Sequence, residues 1–228
     1  MQLRNIVYLL LVLAVVGVVP HLGAAVESGA ERAVLVVIDI QGFYFEGGAL
    51  PLEGSDRAAE VAGTLVSAFR AKGWPVVHIQ HLPKSAAGPG QDIEPASYRI
   101  HPAVAPVAGE IVIGKRFANS FRDTSLAETL EKLGAKKLVV VGMQTHMCLE
   151  AAARAAADLG YEVTVVQDAC ATRDLEFEGT VTPAAEVHAS TLATLSGTYA
   201  NVVNAEQYLR EIGPGPTAVS KTAEPASK

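Results

Sequence analysis

Between Ala33 and Val203 the chain alternates short apolar runs, rich in valine and isoleucine, with segments whose apolar residues recur every three or four positions. Ala33–Ile40 (AVLVVIDI) contains no polar residue before Asp39, the composition of a strand covered on both faces. Ser55–Lys72 then places Ala58, Val61, Ala62, Leu65, Val66 and Phe69 on one helical stripe, with Gly73 positioned to end it. Pro75–Gln80 predicts a second strand and Glu110–Ile113 a short third. Ser125, Leu126, Ala127 and Glu128 have the form of a capping box, opening a helix through Leu126, Leu130 and Leu133 that Gly134 stops. Lys137–Val141 predicts a fourth strand, Cys148–Leu159 an alanine-rich helix stopped by Gly160, and Tyr161–Val166 a fifth strand. Thr182–Ser196 predicts a helix with Pro183 at its first position, and Ala200–Val203 a last strand.

Strands alternating with helices imply right-handed βαβ crossovers and an α/β domain with a mostly parallel sheet covered on both faces. In such sheets ligands sit beyond the carboxyl ends of the strands. Chemistry is therefore expected in residues 39–44, 78–82, 114–121, 142–148 and 167–174.

The two ends of the chain read differently. Residues 1–25 have the form of an export signal: Arg4 is the only charge, Ile6–Val19 is an unbroken apolar run ended by Pro20, and Gly23, Ala24 and Ala25 offer a cleavage site. The run is shorter than the roughly 18–20 residues a spanning helix needs. The expectation is an exported protein, periplasmic or secreted; the alternative is an uncleaved N-terminal membrane anchor. Residues 213–228 (GPGPTAVSKTAEPASK) have no hydrophobic period and predict a disordered tail. One domain is thus expected over residues 30–212, with no internal repeat.

Composition narrows the function. The 228 residues carry a net charge of −6, which argues against a nucleic-acid partner. Two cysteines exclude a disulfide scaffold, and there is no Cys-x-x-Cys pair to suggest structural zinc. Half of the residues are hydrophobic, in part because of the N-terminal segment.

Three polar residues stand at strand ends. Asp39 lies inside a valine and isoleucine run, where an ionised carboxylate needs a partner or must cap backbone amides. Lys115 directly follows the third strand and could neutralise such a carboxylate; a solvated basic pair with Arg116 is the bland alternative. Cys148 opens a helix after a glycine-started turn, Gly142 to Met147. Free N–H groups at a helix start lower a thiol's pKa and can hold an oxyanion, so the placement suits a nucleophile; a small buried core residue is the alternative. Cys170 is read as a buried thiol in a tight turn, Asp168 to Ala171, although a redox pair with Cys148 is conceivable for an exported protein. His78 and His81 have odd spacing on a strand, which is poor geometry for one metal. No dinucleotide loop, phosphate loop or Gly-x-Ser-x-Gly elbow is present.

Asp39-Ile40-Gln41, the segment from Gly114-Lys115-Arg116 to Asn119-Ser120-Phe121, Gly142 to Cys148 (GMQTHMC), and Val165 to Ala171 (VVQDACA) occur in this order. Together they resemble the isochorismatase-like cysteine hydrolases, over essentially all of residues 32–209. The resemblance implies a Rossmann-like three-layer α/β/α fold with a six-stranded sheet of order 3-2-1-4-5-6. It implies a catalytic triad in which Asp39 is the general base, Lys115 stabilises charge and Cys148 attacks an amide carbonyl. A cis peptide between Met143 and Gln144 would turn N–H groups of Gln144 and Cys148 toward the oxyanion. Tyr44, Phe117, Phe121 and His146 would line the substrate pocket.

The same resemblance places the chain among amidases cleaving a C–N bond of a small amide or ureido compound through a Cys thioester. True isochorismatases, which cleave a vinyl ether, typically do not have the cysteine. Nicotinamidases bind a metal through an Asp-x-His element after the second strand, where this chain reads His78 to Lys84 (HIQHLPK), so no metal and no cofactor are expected. The expected partners are a small-molecule amide substrate and further copies of the chain in a homo-oligomer, with no nucleic acid and no stable membrane partner once the signal is cleaved. A vinyl-ether hydrolase and a non-catalytic exported binding protein remain the alternatives.

Overall fold

The computed structural model describes residues 31–90, 93 and 95–214. The expected export signal, residues 1–25, and the tail beyond residue 214 lie outside the described residues. In chain order the elements are β1 (Ala33–Ile38), α1 (Ser55–Ala71), β2 (Val76–His81), β3 (Ile111–Lys115), α2 (Leu126–Lys132), β4 (Lys137–Met143), α3 (Glu150–Asp158), β5 (Glu162–Ala171), β6 (Leu175–Phe177), β7 (Thr180–Thr182), α4 (Ala184–Leu195), β8 (Asn201–Val203) and α5 (Ala205–Ile212). Six strands form one sheet in the order β3-β2-β1-β4-β5-β8, and all five neighbouring pairs are parallel. This is the expected three-layer arrangement; the last strand becomes β8 because a small antiparallel hairpin, β6–β7, intervenes.

The sheet is covered twice because β1 sends alternate side chains to opposite faces. Leu35 and Val37 pack with Ala62, Leu65 and Phe69 of α1 and with Tyr208 and Ile212 of α5. Val34, Val36 and Ile38 pack with Leu126 and Leu130 of α2, Ala152, Ala153 and Ala156 of α3, and Leu192 and Leu195 of α4. The alanines of α3 let that helix approach the sheet closely, which fixes the position of the turn that precedes it.

Three local expectations need correction. The capping box at Ser125 does not form: Ser125 makes no side-chain cap, and the Leu126 N–H is taken instead by Thr124 Oγ1 at 3.2 Å. Ser125 stands at φ −86° and ψ 12°, away from the extended conformation from which a capping serine reaches the second or third amide of its helix. Asp168 to Ala171 is not a tight turn but the end of β5, paired with β4 (Gly142 with Cys170, Met143 with Ala171) after a bulge between Val140 and Gly142. The Cys148–Leu159 helix is in fact a π-helical turn, Thr145–Leu149, followed by α3.

The loop between β2 and β3 is anchored at Glu110. Arg70 of α1 donates to both carboxylate oxygens at 2.8 Å, the Val107 N–H donates at 3.0 Å, and His78 Nε2 lies 2.9 Å away. Burial alone would raise the Glu110 pKa, but these partners outweigh it and hold the carboxyl at about 2. A depressed folded-state pKa gives stability that is present above the ordinary carboxyl value and lost as the pH falls through the folded one. Stability to urea is therefore expected to fall from about pH 4.5 toward about pH 2, and Glu110→Gln is expected to flatten this part of the profile.

Candidate active site

Asp39, Lys115 and Cys148 come from three separate strand ends and meet. Asp39 follows β1 in the left-handed region, with φ 50°. That conformation is uncommon outside glycine and tolerated best by Asn and Asp. Lys115 is the last residue of β3, two strands away, and its side chain crosses the end of β2. Its Nζ lies 2.7 Å from Asp39 Oδ2, with both side chains fully buried. The same ammonium donates to the Phe117 carbonyl at 3.0 Å and the Ala118 carbonyl at 3.3 Å. A buried charge pair is tolerable only when such additional bonds satisfy the remaining donors. The Cys148 thiol lies beside both groups, near enough that the Asp39 carboxylate raises its pKa and the Lys115 ammonium lowers it.

The end of β4 makes this meeting possible. Gly142 has φ 127°, and a Cβ there would lie 2.0 Å from the Ile38 carbonyl oxygen. Only glycine allows β4 to pass so close to β1. Gly142→Ala is expected to destabilise the fold by several kcal/mol, on the order of other severe backbone clashes; a loss below about 1 kcal/mol in chemical denaturation would contradict this. After Gly142 comes a cis peptide between Met143 and Gln144. The π turn follows, with the Met147 and Leu149 N–H groups both on the Gln144 carbonyl, at 3.0 and 3.2 Å. The nucleophile candidate thus sits in a widened turn rather than in the first turn of a regular α-helix. Such π turns occur disproportionately at functional sites.

The electrostatics correct one expectation. Burial, and then the Asp39 charge, push the Cys148 thiol up to about 12, against the opposing pull of Lys115. The helix start therefore does not hold a free thiolate; the group rests as a thiol between a base and a cation. Burial works to lower the pKa of Lys115, but the charges of Asp39 and Cys148 outweigh it and raise it, so the ammonium stays charged.

Around this group, Tyr44 is buried and its hydroxyl accepts a hydrogen bond from Gln144 Nε2 at 3.3 Å. Burial and the neighbouring Asp39 and Cys148 raise its pKa, keeping the phenol neutral. His146 Nδ1 pairs with Thr172 Oγ1 at the end of β5. Gln144 Oε1, His146 Nε2 and Arg173 Nε are buried with no hydrogen-bond partner. Arg173 was not singled out from the sequence, although it lies in the expected 167–174 segment; an arginine directly after a strand end was the available signal. Phe117 and Phe121 are engaged by other groups: the Arg122 guanidinium lies 3.7 Å from the Phe117 ring centroid, and Phe121 stacks on Tyr161.

Cys170 lies in β5, 7% exposed, and its thiol donates to the Val166 carbonyl at 3.2 Å. Both cysteines are free. A cavity of about 240 Å³ lies beside Lys115, between Leu82, Pro89, Gly114 and Phe117. A larger one, about 750 Å³, opens under the β2–β3 loop near Glu110 and touches none of the three residues. Size therefore does not mark the site here; the buried charges do. Among the described residues no cluster of three or more His, Cys, Asp or Glu side chains is arranged to hold a metal.

A family profile for the isochorismatase domain matches residues 33–207. The chain belongs to the isochorismatase family. It is 42% identical over 176 residues to the isochorismatase family protein YddQ of Bacillus subtilis, covering 77% of this chain and 98% of that one. It is 28% identical over 203 residues to the maleamate amidohydrolase of Pseudomonas putida, covering 83% and 91%. Among solved structures, an isochorismatase-family hydrolase from Oleispira antarctica superposes with a TM-score of 0.72 at 45% identity, covering 79% of this chain and 97% of that one. Within this isochorismatase-family fold, Asp39, Lys115 and Cys148 stand at the carboxyl end of the sheet, where α/β enzymes bind their ligands.

Proposed function

We propose that this isochorismatase-family protein is a cysteine hydrolase that cleaves the C–N bond of a small amide or ureido compound. The observation that carries the reading is the fully buried Asp39–Lys115 pair, 2.7 Å apart, with the buried Cys148 thiol beside both of its members. A thiol between a carboxylate and an ammonium can lose its proton to the carboxylate as sulfur attacks, while the cation offsets the charge that develops on sulfur. The likeness to a maleamate amidohydrolase supports C–N cleavage over ether cleavage.

The steps follow from these positions. Cys148 Sγ adds to the substrate carbonyl and its proton passes to Asp39. The resulting oxyanion is met by the N–H groups of Gln144 and Cys148, fixed dipoles that cost no reorganisation. As the tetrahedral intermediate collapses, Asp39 returns the proton to the leaving nitrogen, and ammonia or an amine departs. Water, deprotonated by Asp39, then hydrolyses the thioester and restores the thiol. Tyr44, His146, Arg173 and the open Gln144 Oε1 provide neutral and charged hydrogen-bonding groups for the rest of a small substrate.

An ammonia-release screen over small primary amides, ureido compounds and lactams tests the reading. Release from at least one class, lost in Asp39→Asn, is expected; hydrolysis confined to a vinyl ether would replace the proposal with the other chemistry. The raised thiol pKa gives a further expectation. Alkylation of Cys148 by iodoacetamide should climb steadily from neutral pH into the alkaline range, and a plateau near pH 7 would show a thiolate already formed.

Export belongs to the same proposal. The N-terminal apolar run and the small residues at positions 23–25 support removal of about 25 residues, which intact-mass analysis of protein recovered from outside the cytoplasm would reveal.

A further inference from the structure

The π turn that carries Cys148 is poorly able to hold itself. Two of its N–H groups share the single Gln144 carbonyl, and the wide ring of a π turn lacks the close packing of an α-helix. Its position depends on side-chain anchors to other elements. Gln144 is tied to Tyr44 and His146 to Thr172, and both of these pairs flank the space left for substrate. The third anchor lies deeper. Thr145 is completely buried, and its Oγ1 lies 2.9 Å from Nδ1 of His188, in the middle of α4.

α4 is itself fixed at both ends of the interaction. Its first N–H, from Ala184, donates to Asp174 Oδ1 at 2.8 Å, tying the helix to the chain leaving β5. Val187, Thr191 and Leu192 beside His188 are buried against the body of the domain. Burial also lowers the His188 pKa, so the ring stays neutral and exchanges one hydrogen bond with Thr145 without adding charge near the Asp39–Lys115 pair.

We propose that His188 is a positioning residue: through Thr145 it holds the π turn so that the Cys148 thiol stays between Asp39 and Lys115. The proposal rests on the cysteine-hydrolase reading for its catalytic consequence, but not for its structural one. His188 touches no reacting atom. A displacement of about 1 Å at a nucleophile can cost about 100-fold in rate, so a single hydrogen bond one turn away suffices to matter.

The test is a double-variant cycle in the full chain, with His188→Ala, Thr145→Val and the two combined. Three quantities are read: kcat and KM for an amide found in the ammonia screen, the rate of Cys148 labelling by iodoacetamide at pH 9, with Cys170 as the internal control in Thr145→Val, and Tm. Each single variant is expected to lower kcat about tenfold with KM within about twofold. Each is also expected to speed Cys148 labelling severalfold, because a loosened turn exposes a thiol that is 5% exposed in the intact site; Cys170, which lines a cavity together with His188, should keep its rate in Thr145→Val. The combined variant should lose no more than either single one, since both remove the same bond. His188→Asn, which can present a hydrogen-bonding atom near the Nδ1 position, should recover most of kcat.

Additive losses, unchanged kcat and labelling in a folded His188→Ala, or equal acceleration of Cys148 and Cys170 in Thr145→Val would overturn the proposal; the last would mean a general loss of stability. If His188→Ala does not fold, Thr145→Val and His188→Asn decide between the same outcomes. If no amide releases ammonia, the hydrolase reading fails, and the labelling ratio alone decides whether His188 holds the turn.

Discussion

Cys148→Ser is expected to abolish amide hydrolysis, by more than about a thousandfold in kcat, while the protein keeps its fold. The hydroxyl occupies nearly the same volume as the thiol and can still bond Asp39 and Lys115, so the buried pair is undisturbed. It cannot do the chemistry, because a hydroxyl is far less acidic than a thiol and a carboxylate is too weak a base to remove its proton. The stability change should stay within about 1 kcal/mol, a shift of about 2–4 °C in Tm for a domain of this size. Steady-state ammonia release and a thermal melt on the same preparation check both halves. A serine variant retaining a tenth of the activity would remove Cys148 from the reaction.

Lys115→Met is expected to have the largest effect on stability. Removing the ammonium leaves Asp39 buried and uncompensated, and breaking a buried pair in this way costs about 3–5 kcal/mol. For a domain of this size that is a fall in Tm of about 6–20 °C. Activity should vanish as well, since nothing then offsets the negative charge that develops on the Cys148 sulfur as its proton passes to Asp39. The double variant Asp39→Asn with Lys115→Met should regain much of the lost stability, because two neutral side chains of similar shape leave no orphaned charge, yet it should remain inactive. The contrast separates the pair's structural role from its chemical one. A single Lys115→Met variant that melts with the wild-type protein would mean that Asp39 finds another partner.

The parts of the fold that the sequence made legible are those where burial on both faces leaves little choice of residue. β1 and β4 read as unbroken valine-rich runs because both of their faces are covered, and α1 announced itself through its stripe and Gly73. The site was legible for a related reason. A carboxylate, a lysine and a cysteine at three strand ends are conspicuous when the strands themselves are apolar.

What escaped was set by competition between neighbours. Ser125 fails to cap α2 because its backbone is not extended, a matter of the angles of one turn that the Ser-Leu-Ala-Glu pattern does not fix. The β6–β7 hairpin has only three residues in each strand, with Phe177 and Val181 exposed, so no alternation develops. α5 did carry a signal, an Asn204 cap followed by Ala205, Tyr208, Leu209 and Ile212, but it spans only eight residues. The resting state of Cys148 is not legible from a helix start alone, because the carboxylate that raises the thiol's pKa is brought beside it only by the fold. Burial and Asp39 together exceed the opposing pull of Lys115. His188 lay outside every strand-end segment, and only the packing of α4 on the turn brings it to Thr145.

The most direct measurement is to stop the reaction with acid within one turnover of a substrate found by the ammonia screen, and to locate any added mass by peptide mass spectrometry. The expected result is an acyl group on Cys148, carrying the substrate without its leaving amine, that appears with the first equivalent of ammonia and is absent from Cys148→Ser and from Cys170. Ammonia released with no adduct at any time, or with the acyl group on another residue, would contradict the assignment of Cys148 as the nucleophile.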